Sequence, residues 1–133
     1  MMIKTKGDER MQKLYDDIIN KKEKIAIVGL GYVGLPQALA FSEKVKVIGY
    51  DIDKKKIEKY LTGKNYHDII DRKMSHDNLE FTWDETKLKE AGFIVVAVPT
   101  PITNDKTPDL DFVKKASATI GRNLKKGAII VYE

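Results

Sequence analysis

The fold is decided by Lys24-Ile25-Ala26-Ile27-Val28-Gly29-Leu30-Gly31-Tyr32-Val33-Gly34-Leu35-Pro36. Ile25 to Val28 is a continuous apolar run, as expected of a strand buried on both faces. Three glycines follow at the spacing G-x-G-x-x-G, and an apolar segment at helical spacing comes next. A parallel strand turning into a helix around a dinucleotide pyrophosphate has this form. Gly29 would permit the tight turn, Gly31 the approach of the backbone to the phosphates, and Gly34 the close packing of helix on sheet. The phosphate charge would face the free N–H groups and positive dipole end of that helix.

A glycine turn alone is common. Here a second apolar run, Val45 to Tyr50, ends in Asp51, at the distance of about 20 residues expected of an acid that binds the adenosine ribose. A free carboxylate there would accept from the ribose hydroxyls and repel a 2′-phosphate. Ile52, not an arginine, follows it, so the pattern favours NAD over NADP.

Outward from this unit the chain alternates. Asp8 to Asn20 places Met11, Leu14, Tyr15, Ile18 and Ile19 at helical spacing, with Lys21, Lys22 and Lys24 suited to the C-terminal end of that helix. Met1 to Gly7 is expected to be disordered. Helices are expected over Tyr32 to Ser42 and Asp53 to Leu61, with a strand over Lys46 to Tyr50 between them. Leu79 to Thr82 forms a short strand, and a short helix starts at Asp84 or Thr86, with Gly92 as its stop. Phe93 to Val98 is a central buried strand ended by Pro99-Thr100-Pro101, two prolines that cannot continue a ladder. Thr100 at a strand's carboxyl end could offer its hydroxyl or backbone to a cofactor. After a polar loop over Thr103 to Pro108, a helix with Asp109 as candidate N-cap runs to about Asn123, with Leu110, Val113, Ala116, Ala118 and Ile120 as its apolar positions. A last strand spans Ala128 to Tyr132. The expected architecture is α/β: a Rossmann-like doubly wound parallel sheet of about five strands in the order 3-2-1-4-5, with an extra N-terminal helix. Residues 1–23 are an N-terminal extension and residues 24–133 an NAD-binding domain, expected to lack its sixth strand and the domains downstream.

The 133 residues are 42% hydrophobic and 33% charged, with net charge +4, which fits one globular domain. The lysines are spread among nearly as many acids, with no basic stripe interleaved with aromatics, so nucleic-acid binding is not expected. No apolar run approaches the roughly 20 residues of a membrane span. The absence of cysteine excludes disulfides, thiolate metal sites and a thiol nucleophile within these residues, and a cytoplasmic setting is expected. His67 and His76 stand in a polar stretch, Gly63 to Asn78, at a spacing that fits no metal template, so a structural or surface role is expected for both.

Gly29 to Pro36, Gly49-Tyr50-Asp51-Ile52-Asp53 with Lys56, Val98-Pro99-Thr100-Pro101-Ile102, Pro108-Asp109-Leu110-Asp111 and Gly127 to Glu133 together resemble the UDP-glucose/GDP-mannose dehydrogenase family, in its N-terminal NAD-binding domain. The resemblance runs over Lys24 to Glu133, apart from Gly63 to Asn78. It implies oxidation of the C6 hydroxymethyl of a UDP-sugar to a carboxylate with two NAD, for polysaccharide biosynthesis. The resemblance further implies a cysteine outside these residues that holds the aldehyde-level intermediate as a thiohemiacetal, which is oxidised to a thioester and hydrolysed. The Pro-Thr-Pro-Ile and Tyr-Glu forms resemble the UDP-N-acetylhexosamine branch. The cofactor residues carried over are Gly29, Gly31, Tyr32, Val33 and Gly34 at the pyrophosphate, Asp51 at the ribose, Lys56 near ribose and adenine, and Val98, Pro99, Thr100 and Pro101 under the cofactor. Glu133 immediately precedes the position of the family's Ser-Thr pair near the nicotinamide. The complete enzyme is expected to be a homo-oligomer, and this stretch alone is expected to be inactive, because it lacks the cysteine. Two other readings stay open at this point. A hydroxyacid or hydroxyacyl dehydrogenase would share the glycines and Asp51, but not Val98 to Pro101. A non-catalytic nucleotide-sensing module could associate through Asp8 to Asn20.

Overall fold

The computed structural model describes residues 5–62 and 77–133. His67 and His76 lie outside the described residues, as does nearly all of Gly63 to Asn78.

Helix α1 (Lys6–Ile19) precedes β1 (Lys24–Val28), α2 (Gly34–Ser42), β2 (Val47–Tyr50), α3 (Lys54–Leu61) and β3 (Leu79–Thr82). A 3-10 helix (Glu85–Glu90) then leads to β4 (Ala91–Val96), α4 (Asp111–Arg122) and β5 (Ile129–Tyr132). The five strands pair in parallel in the order β3-β2-β1-β4-β5. This is the expected Rossmann-like order, with β1 at the centre, where the chain reverses its direction of winding.

The period-two alternation of β1 sorts the core into two layers. Ile25 and Ile27 face Leu35, Ala38 and Leu39 of α2 and Ile57 and Tyr60 of α3. Ala26 and Val28 face Leu88 of the 3-10 helix and Ala116 and Ile120 of α4. Both faces of β1 are therefore covered, which is why its sequence is apolar at every position from Ile25 to Val28.

Several local expectations are corrected. Order begins before Asp8: Thr5 caps α1 in a reciprocal box, its Oγ1 accepting from Asp8 N–H at 3.1 Å while Asp8 Oδ2 accepts from Thr5 N–H at 3.0 Å. Only Leu14 and Ile18 of α1 pack on the sheet layer, while Met11, Tyr15 and Ile19 are exposed. The last turn of α1 contains no basic residue, and Lys24 sits in β1, bonded to Glu90 at 2.7 Å. Gly92 is no helix stop. It lies inside β4, where a Cβ would meet Leu14 and Glu23 at 2.7–2.8 Å, so it makes room for the N-terminal helix. β4 ends at Val96, and Ala97 still donates to the Val28 carbonyl at 2.8 Å. Helix α2 begins at Gly34 rather than Tyr32, because Tyr32 and Val33 belong to the turn. Leu110, not Asp109, is the N-cap of α4. Asp109 serves from one position earlier, accepting from Asp111 N–H at 3.0 Å. On α4, Ala118 is exposed and Thr119 occupies the buried place.

Candidate functional site

Gly29 leaves β1 with φ +99°, a left-handed conformation that side-chain-bearing residues rarely adopt. A Cβ here would also stand 2.9 Å from the Ala97 carbonyl oxygen. At Gly34 a Cβ would overlap the Gly29 carbonyl oxygen, so α2 can sit over the turn only because Gly34 has none. Gly31 differs from both, since nothing among the described residues lies within 4 Å of its Cβ direction. Folding leaves that direction open, and an open concavity beside a helix N-terminus suits an anion. Among the described residues no side chain caps α2, and no acidic residue stands in its first turn.

Asp51 follows β2 and is 7% exposed. Its Oδ2 accepts from Leu30 N–H at 2.9 Å and from Lys56 Nζ at 3.1 Å, and its Oδ1 accepts from Asp53 N–H at 2.9 Å. The acid thus ties the glycine turn to the turn that opens α3. Leu30 is held from its other side as well, because the buried Tyr60 hydroxyl donates to its carbonyl at 2.7 Å. Asp53 caps α3 by accepting from Lys56 N–H at 3.2 Å, which sets Lys56 on the first turn facing Asp51.

These pieces meet at a cleft of about 620 Å³ at the carboxyl ends of β1, β2 and β4. Gly29, Gly31, Tyr32, Val33, Asp51, Lys56, Val98 and Pro99, all named from the sequence as candidate cofactor residues, line it. Gly34 lies beneath the turn instead. Thr100 and Pro101 are exposed and outside the lining. The Pro101 carbonyl accepts from Asp109 N–H at 2.7 Å, closing the base of an excursion that pairs Ile102 with Pro108. This anchoring leaves Val98 and Pro99 at the cleft and carries the next two residues away.

Sequence reasoning missed the wall made by Phe112, Lys115, Ala116 and Thr119 of α4. The signal available was topological, since the helix after β4 crosses over beside the carboxyl end of that strand. Tyr50 forms part of the floor. Burial foremost, then the charges of Glu85 and Asp51, push its phenol up from its ordinary value of 10.0, so it stays a neutral hydroxyl at physiological pH. At the end of β5, Gln37 Nε2 donates to both carboxylate oxygens of Glu133 at 2.7 Å, fixing that strand's exit beside α2. Among the described residues no three His, Asp or Glu side chains converge on a possible metal position.

A family model described as UDP-glucose/GDP-mannose dehydrogenase family, NAD binding domain, matches residues 23–133. Protein CapL of Staphylococcus aureus is 45% identical over 113 residues, covering 82% of this chain and 26% of that protein. UDP-N-acetyl-D-glucosamine 6-dehydrogenase of Salmonella typhi is 44% identical over 112 residues, covering 83% of this chain and 26% of that protein. The chain spans about a quarter of the length of these curated relatives. Among solved structures, a UDP-D-ManNAc dehydrogenase from Pyrococcus horikoshii superposes with a TM-score of 0.77 at 33% identity, over 83% of this chain and 28% of that one.

Proposed function

Because this chain belongs to the UDP-glucose/GDP-mannose dehydrogenase family, through its NAD-binding domain, we propose that the cleft is its NAD site. In this reading the chain is the cofactor-binding part of a nucleotide-sugar 6-dehydrogenase. Residues 24–133 form the cofactor domain and residues 1–23 an N-terminal extension. The observation that carries the reading is the 2.9 Å bond from Leu30 N–H to Asp51, which joins a glycine turn and a ribose-type acid within one cleft.

The fit follows from the residues themselves. The uncapped N-terminus of α2 and the open Gly31 surface receive the pyrophosphate. Asp51 accepts from the adenosine ribose and disfavours a 2′-phosphate, with Lys56 beside it. Tyr32 and Val33 flank the phosphates, and Val98 and Pro99 support the cofactor from below. Pro101 anchors that segment through its carbonyl, which accepts from Asp109 N–H. When bound, NAD supplies the hydride acceptor for oxidation of an alcohol carbon.

For the complete protein we propose oxidation of a UDP-sugar at C6 to the uronate, with two NAD, for polysaccharide biosynthesis in the cytoplasm by a homo-oligomer. The names of the relatives favour a UDP-N-acetylhexosamine as substrate. The 133 residues contain no cysteine, so the thiol step depends on residues outside them and the chain alone should not reduce NAD. No described helix is long and apolar enough to cross a membrane.

Calorimetric titration tests the reading. The chain should bind NAD more tightly than NADP, and Asp51→Asn should remove the preference. Equal affinities in the unsubstituted chain would contradict the ribose assignment.

A further inference from the structure

Asp51 already holds three donors: Leu30 N–H at 2.9 Å, Lys56 Nζ at 3.1 Å and Asp53 N–H at 2.9 Å. A carboxylate offers about four lone-pair positions. Two ribose hydroxyls would bring the donors to five, so one must leave. The two main-chain donors are fixed. Leu30 is pinned through its carbonyl by Tyr60 at 2.7 Å, and Asp53 is held as the N-cap of α3. Lys56 is the donor that can move. Its ammonium rides on a flexible four-carbon stem, and its side chain is 35% exposed against 9% for that of Asp51. Its backbone stays anchored to Asp53 Oδ1 at 3.2 Å, so the released ammonium remains beside the place it vacates.

The charges lining the cleft point the same way. Among the described residues they are Asp51, Asp53, Lys56 and Lys115, two acids and two bases. An isolated acid at the ribose rejects a 2′-phosphate by like-charge repulsion. An acid with its own counter-ion, in a cleft without net charge, rejects it far less.

We infer that Lys56 sets how strongly this chain discriminates NAD from NADP. Displaced from Asp51 by the ribose hydroxyls, its ammonium is the partner that a 2′-phosphate meets. Asp51 favours NAD, and Lys56 narrows that preference. The inference rests on the NAD reading of the cleft and adds to it a specificity determinant opposed to the ribose acid.

The experiment is calorimetric titration of NAD and of NADP into the chain and into its Lys56→Met, Lys56→Gln and Lys56→Arg forms, with circular dichroism to confirm folding. Both neutral substitutions should raise the ratio of Kd for NADP to Kd for NAD by about tenfold, a free-energy difference of about 1.4 kcal/mol. Lys56→Arg should keep the original ratio. The gap between the unsubstituted chain and Lys56→Met should shrink as salt rises from about 0.05 to about 0.5 M, because screening weakens the charge contribution. If NAD still binds and the ratio is unchanged or lower in both neutral variants, the inference fails and the NAD reading stands. If the folded, unsubstituted chain binds neither cofactor, both fail.

Discussion

The Gly29 carbonyl oxygen occupies the position where a Cβ on Gly34 would stand. The two glycines are therefore one packing unit, in which the turn closes only if the helix that follows presents bare backbone. Gly34→Ala must push α2 away from β1, and about 3 kcal/mol of lost stability is expected from such overpacking. Gly29→Ala should cost at least about 1 kcal/mol, because φ is +99° and the Ala97 carbonyl is 2.9 Å away. Urea unfolding of both variants measures this, and unchanged midpoints would contradict the packing account.

Tyr60→Phe removes the donor at 2.7 Å from the Leu30 carbonyl. Tyr60 is 3% exposed, so little water can replace it. A loss of about 1–3 kcal/mol is expected from the unsatisfied carbonyl. Because the N–H of the same residue bonds Asp51, cofactor affinity should fall as well. Denaturation and titration on one sample report both effects.

Stability should decline in acid. Side-chain bonds from Arg122 and then Asn123 hold Glu85 below its ordinary value of 4.5, and the Lys24 side chain does the same for Glu90. Bonds from Thr86 and from Thr5 lower Asp84 and Asp8 from 3.8. A carboxylate lowered by folding stabilises the native state above its unfolded value, and that contribution is lost as pH falls through the lowered value. Melting temperature should therefore drop as pH falls below about 4.5, and Arg122→Ala should flatten the drop. A melting temperature that rises over that range would contradict these bonds.

Phe112 lines the cleft yet is 47% exposed. Phe112→Ala should leave stability within about 0.5 kcal/mol, as is usual for surface positions, while weakening NAD several-fold. Titration and thermal melting separate the two effects. A large loss of stability with unchanged affinity would assign Phe112 to the core instead of the site.

The strand order and the cleft floor were legible because β1 and β4 are buried on both faces and so carry unbroken apolar runs. Two of the three glycines were legible for the same reason in reverse, since backbone crowding at Gly29 and Gly34 excludes side chains. Element ends were less legible. Gly92 resembles a helix stop, but its lack of a side chain answers to Leu14 and Glu23, which are remote in sequence. Thr100 and Pro101 follow the site in sequence but leave it in space, because a bond to Asp109 turns the chain outward. The α4 wall had no motif of its own. Phe112, Lys115 and Thr119 reach the cleft through topology, which residue spacing does not encode.

The central claim, that the open face of the glycine turn receives the cofactor's pyrophosphate, is tested most directly by titrating NAD into the chain and into Gly31→Val. Among the described residues no atom lies within 4 Å of the Gly31 Cβ direction, so the variant should fold with an unchanged melting temperature. The account predicts saturable one-site binding by the unsubstituted chain and no measurable binding by folded Gly31→Val. Equal affinity in the two, or no binding by the folded unsubstituted chain, would contradict it.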